Sequence, residues 1–205
     1  NRSARLGPRQ VLDSMAWAVR ITEKVNTTTA TETTLWTTSM SPQVGMLSWN
    51  SIVEDYAELM TANDKLMADS GYIDLLEEGA SYVDGLGADD MLIRLLHAEP
   101  VATPPQFATI TATRVAPGQS ASAMALGVEM AKRITAITGR PAMFGSNVTG
   151  EFGGIGFIVL SDTIDQVQAA GEGLAADADW VKMIDQQASA AFVGDATRTI
   201  SRRIA

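Results

Sequence analysis

The hydrophobic pattern divides the chain into two series of elements. Residues 107–114 alternate in character and are rich in β-branched side chains, which predicts a strand. Over 120–138, Met124, Val128, Ala131, Ile134 and Ile137 recur at helical spacing. Gly139 ends that helix and Pro141 follows it. The matching helix earlier in the chain is expected over 9–28. There Leu12, Met15, Val19 and Val25 form one stripe and Trp17 and Ile21 another, and Asn26 with a threonine run replaces the glycine stop. Strands are predicted over 33–40 and 44–50, joined by Ser41-Pro42-Gln43, and again over 142–149 and 153–160. Helices over 52–67 and 163–176 follow, with Ser51 and Ser161 as expected N-caps and Glu54 at capping-box spacing. Shorter helices over 73–83 and 180–192 lead to closing strands over 91–97 and 198–204.

The two series coincide. Residues 2–49 fall on 111–158 at an offset of 109, so that Met15-Ala16 meets Met124-Ala125 and Gly45 meets Gly154. Beyond about residue 60 the offset is 108: Asp69 and Tyr72 meet Asp177 and Trp180, and Arg94 meets Arg202. Each half reads β-α-β-β-α-α-β, the order of a ferredoxin-like split βαβ unit. The expected fold class is therefore α+β, with two tandem ferredoxin-like repeats and antiparallel sheets. Repeat one spans 1–98, a linker with three prolines spans 99–105, and repeat two spans 106–205. The strand before the second helix series has no full counterpart at the start, so the chain is expected to open inside its first strand.

Charge and composition narrow the function classes. The 205 residues carry a formal net charge of -9, which argues against nucleic acid as a partner. Eleven acidic residues between 54 and 90 are opposed only by Lys65, and the expected reading is a solvated acidic helix face. Asp84, Asp89 and Asp90 flank glycines, but their spacing does not match a calcium loop. There is no cysteine, so disulfides, thiolate metal sites and a cysteine nucleophile are excluded, and a cytoplasmic location is expected. No run is long and apolar enough to span a bilayer.

The strand 45–49 (Gly-Met-Leu-Ser-Trp), the helix to Ala68, the Asp69-Ser-Gly-Tyr72 turn and the closing strand 92–96 resemble the dimeric α+β barrel superfamily. Within it, the second half of each repeat is similar to NIPSNAP-like and EthD-like proteins. Here Ser70 or Ala178 stands where a proline often does. The resemblance implies two ferredoxin-like units packed sheet against sheet as a barrel. Proteins of this fold include oxygenases, haem enzymes, isomerases, lyases and binding modules.

Candidate chemistry is sparse. Arg5 and Arg114 match at the end of the first strands, and Arg94 and Arg202 match in the last. In a ferredoxin-like sheet those strands are neighbours, so four arginines could hold an anion; ion pairing with acidic helices is the competing reading. Trp36, Trp49 and Phe157 could line an apolar pocket, or belong to ordinary core. His97 is the lone histidine; Ala205 stands at its matching position, and a haem or metal role lacks partner ligands. The glycines at 150, 153, 154 and 156 precede a strand rather than open a helix, unlike a phosphate loop. No metal and no cofactor is expected. The leading expectation is a non-catalytic assembly or small-ligand-binding protein that self-associates and takes a small apolar or anionic ligand. The alternatives are a cofactor-independent oxygenase or isomerase acting on an apolar small molecule, and a haem-binding barrel.

Overall fold

The computed structural model describes residues 1–7, 11–41, 45–101 and 104–205, with the side chains of 85–87 left aside. The expected start of the first helix at 9–10, the Pro42-Gln43 hairpin signal and part of the proline linker lie outside the described residues. The fold is mixed α+β and forms two compact units. One comprises 1–38, 43–90 and 203–205; the other comprises 39–42 and 91–202.

Unit 1 runs β1 (Arg2–Leu6), α1 (Val11–Thr29), β2 (Thr33–Met40), β3 (Met46–Ser51), α2 (Tyr56–Met67), α3 (Ser70–Gly79) and β4 (Val83–Asp90). Its strands lie in the order β4-β1-β3-β2, with β1 antiparallel to β3 and β4 and β2 antiparallel to β3. The tail 203–205 belongs to this unit: Leu35 N donates to Ala205 O at 2.7 Å and Ile204 N to Leu35 O at 2.8 Å. Leu35 pairs with Trp49, so Leu35, Leu47 and Trp49 share the face that packs on the helices. Trp17, Ala18, Ile21 and Tyr72 complete that core.

Unit 2 opens with β5 (Ile93–Ala98) and continues β6 (Phe107–Val115), α4 (Ser120–Thr138), β7 (Ala142–Asn147), β8 (Gly154–Ser161), α5 (Ile164–Ala176) and α6 (Ala178–Met183). A π-helical turn (Ile184–Ala188) and α7 (Ser189–Ala191) lead to β9 (Phe192–Arg203). The strand order is β9-β6-β8-β7-β5, all antiparallel. Met130, Ala131, Ile134, Phe144, Ile155 and Phe157 form its core.

Several expectations change. Leu12 is 85 % exposed, and the buried side of α1 is Ser14, Trp17, Ala18, Ile21, Thr22 and Thr29. Hydroxyls hid that stripe: Ser14 and Thr22 return their hydrogen bonds to Val11 O and Ala18 O and so pack like apolar groups. The N-caps of α2 and α5 are Asp55 and Thr163, not Ser51 and Ser161. Glu58 and Gln166 reach back to the backbone N–H of Glu54 and Asp162. Ser51 instead ends β3, its hydroxyl 2.7 Å from that of Thr33. The acidic stretch is not all helix, since Asp84, Asp89 and Asp90 lie in β4. β9 also starts earlier than 198, at Phe192.

Candidate functional site

In each unit the strands turn one face to the helices and one face away from them, and the two faces differ in chemistry. In unit 1, alternation places Thr34, Trp36, Ser48 and Asn50 opposite the core residues Leu35, Leu47 and Trp49. Register sets Trp36 across from Ser48 and Thr34 across from Asn50, so the four form one patch. Trp36 is only 8 % exposed although it belongs to neither helix-side core. Its indole N–H donates to Thr34 Oγ1 at 2.9 Å, and Thr34 Oγ1 lies 3.3 Å from Asn50 O. Asn1 Nδ2 donates to Asn50 Oδ1 at 2.7 Å, which turns the Asn50 amide N–H₂ toward Ser48 Oγ at 3.4 Å. The patch therefore combines a held aromatic plane with hydroxyl and amide donors. In unit 2 the corresponding face carries Ala108, Ile110, Met143, Ile158 and Leu160, with Thr199 and Ser201 of β9 beside them.

The sequence candidates disperse. Trp49 and Phe157 pack in the helix-side cores, and Trp49 Nε1 donates to Thr22 Oγ1 at 2.9 Å. Trp36 and Trp49 thus lie on opposite faces and cannot line one pocket. Arg94 is exposed on β5, across from Ser146, because β5 pairs with β7 and not with β1. The expected juxtaposition of Arg94 with Arg5 therefore fails: Arg5 stands across from Met46 in unit 1. Arg202 and Arg114 occupy neighbouring strands, but at opposite ends, paired with Phe107 and with Val193. Seven residues of strand, about 23 Å, separate 107 from 114, too far for both to grip one small anion. Arg114 also forms an ion pair with Glu151 at 3.2 Å.

His97 stands across from Phe144, with its Nε2 3.2 Å from Glu99 Oε1 but without a well-aligned hydrogen bond. Among the described residues no group of three His, Asp or Glu side chains could hold a metal ion. Two of the perturbed acids mark helix starts and a third, Asp90, ends strand β4. Lys24 and the N–H of Tyr72 hold Asp69 below the usual carboxylate range, and Arg133 and the N–H of Trp180 do the same for Asp177. Asp90 is lowered by its two-point bond to Arg2, at 2.7 and 2.6 Å. An open groove between α4 and α5 is lined by Arg133 and Asp177, which satisfy one another.

Sequence reasoning missed Thr34, Ser48 and Asn50. The signal was present in the alternation Met46-Leu47-Ser48-Trp49-Asn50, whose polar members all fall on the face away from Leu47 and Trp49.

No protein-family model and no curated protein matches this sequence. Solved structures do share its fold. A proposed monooxygenase from Fusobacterium nucleatum superposes with TM-score 0.70 at 11 % identity, over 100 % of this chain and 90 % of that one. A proposed monooxygenase from Lactobacillus acidophilus gives TM-score 0.67 at 10 % identity, over 99 % and 95 %. An anthrone oxidase-like protein gives 0.68 at 11 %, over 100 % and 90 %. At these identities the likeness is one of fold alone. No described helix is long and apolar enough to cross a membrane.

Proposed function

We propose that this chain is a cofactor-independent oxygenase acting on an apolar, aromatic small molecule. The observation that carries the reading is the patch of Thr34, Trp36, Ser48 and Asn50, where a nearly buried indole stands beside amide and hydroxyl donors. The names of the proteins that share the fold point the same way. In the same reading, 1–98 and 106–205 are tandem ferredoxin-like repeats joined by 99–105, and the second half of each is NIPSNAP- or EthD-like. The matched caps Asp69 and Asp177 support the duplication.

The chemistry requires no bound oxidant other than dioxygen. A substrate CH₂ flanked by aromatic rings and conjugated to a carbonyl loses a proton to solvent water, giving an enolate, and the peroxide anion formed later takes a proton back from water. Donors from Ser48 and Asn50 stabilise the enolate oxygen, and the nearly buried indole of Trp36 supplies an apolar border beside them. The enolate passes one electron to O₂, the radical pair combines as a hydroperoxide, and loss of water leaves a new carbonyl. The balance is CH₂ plus O₂ giving C=O plus H₂O.

Anthrone is a suitable probe, followed by oxygen uptake and by the appearance of anthraquinone. The full chain accelerates both over buffer, and Asn50→Ala lowers the rate by about 100-fold with the fold retained. A rate equal to buffer, with saturable quenching of tryptophan fluorescence, assigns the patch to ligand binding without catalysis. Neither turnover nor quenching sinks both readings.

A further inference from the structure

Helix α2 has twelve residues and none of them is buried. Its inner side, through partly buried Leu66, rests on the core of unit 1. Its outer side carries a second stripe. Tyr56, Met60, Asn63 and Met67 follow one another at four-three-four spacing, which keeps them on one line along the helix. Tyr56, Met60 and Met67 are 54 %, 55 % and 56 % exposed. Such spacing is the seam by which one helix packs against another, and a polar residue such as Asn63 within a seam sets register. Methionines add a surface that adapts to its occupant.

The stripe is not a general property of this helix position. The equivalent helix α5, aligned by its cap Thr163, carries Ile164, Gln168, Gly171 and Ala175 in those places. Gln168 there bonds Glu172 at 2.8 Å, as on an ordinary solvated surface.

Charge selects the occupant. Asp64 borders the stripe, and Glu54 and the N-cap Asp55 immediately precede its first residue, while Glu58 and Lys65 project together from the other side of the helix. Among the described ion pairs none involves Glu54, Asp64 or Lys65. A second copy of this chain would bring acid against acid, and an anionic lipid surface would be repelled. We propose that the outer stripe of α2 docks a basic amphipathic helix of a partner protein. The partner's apolar residues take the same four-three-four spacing, and its Lys or Arg residues face Asp64 and the acids Glu54 and Asp55 at the start of the helix. This inference is independent of the proposed catalysis.

The test uses a fluorescein-labelled peptide of about four helical turns, with Leu at the four seam positions and Lys at the flanks. A second peptide has Glu in place of Lys. Anisotropy titration of the full chain is expected to show saturable binding of the Lys peptide near about 10 µM, weakening with salt. Binding falls by about tenfold for the double variant Met60→Gln, Met67→Ala, which copies the residues of α5. Thermal melting of that variant, whose altered side chains are both more than half exposed, confirms folding. Equal binding by wild type and variant, equal binding of the Glu peptide, or no saturation overturns the proposal. So does a dimer, seen by sedimentation, that the double variant abolishes, because the stripe is then a contact between copies of this chain.

Discussion

The tip of the Phe144 ring occupies the space that a side chain on Gly127 would need. A Cβ built on Gly127 comes within 2.1 Å of Phe144 Cζ. Unit 1 has Ala18 and Leu35 at the matching positions, both fully buried in its core. A larger helix residue there meets a smaller strand residue, so each core keeps its volume. Gly127→Ala is expected to destabilise the protein by about 1–3 kcal/mol in urea unfolding through overpacking. Adding Phe144→Leu should recover part of that loss. A double variant less stable than Gly127→Ala alone contradicts this account.

Helix α1 ends on Ala30 with φ 59, where α4 ends on Gly139 with φ 66. A residue with a Cβ is disfavoured in the left-handed region by about 1–2 kcal/mol. The side-chain amide of Asn26 holds the turn, accepting from Thr33 N at 2.8 Å and donating to Thr33 O at 3.0 Å. Ala30→Gly should therefore raise stability by about 1 kcal/mol, and Gly139→Ala should lower it by a similar amount. Chemical denaturation of both variants checks the pair, and a destabilised Ala30→Gly contradicts it.

Thr22 is 2 % exposed, accepts from Trp49 Nε1 at 2.9 Å and donates to Ala18 O at 2.7 Å. Thr22→Val keeps the shape but leaves the indole N–H without its acceptor. The expected cost is about 1–3 kcal/mol. Thr22→Ser retains the hydroxyl and should cost less, with the remaining loss due to the missing methyl. Equal losses for the two variants remove the hydrogen bond from the explanation.

Asp69 and Asp177 both cap a helix and pair with a cation, Lys24 at 2.7 Å and Arg133 at 2.9 Å. Their folded pKa values lie below the unfolded ones. Their stabilisation is thus present above the ordinary carboxylate value of about 3.9 and is lost as pH falls through the depressed folded values. The double variant Asp69→Asn, Asp177→Asn should show a shallower loss of melting temperature between about pH 5 and pH 2 than the wild type. Parallel melting profiles place the acid sensitivity elsewhere, with Asp90 on Arg2 the next group to examine.

Elements with strong local signals were legible in the chain. The strand expected over 33–40 is β2, Thr33–Met40, and Gly139 stops α4 as read. β4 was missed because Asp84, Gly85, Gly87, Asp89 and Asp90 give neither alternation nor β-propensity. β4 lies at the edge of the unit 1 strand order, where exposed acidic residues discourage further pairing. The aromatic candidates were right in type, but alternation alone does not say which of two faces a helix will cover. Trp36 and Trp49 separated on that point.

The sequence by itself determined most of the helices and strands, though not β4, and such local stops as Gly139. Those features rest on neighbours within one helical turn or one strand period. Only the tertiary structure decided that β5, which follows the first series of elements, pairs with β7 in unit 2, while the tail 203–205 pairs beside Leu35 in unit 1. A strand's backbone offers the same hydrogen bonds to any neighbour, so its choice of partner depends on long-range packing. That choice separated Arg94 from Arg5, and the face each helix covered brought Thr34, Trp36, Ser48 and Asn50 into a single patch.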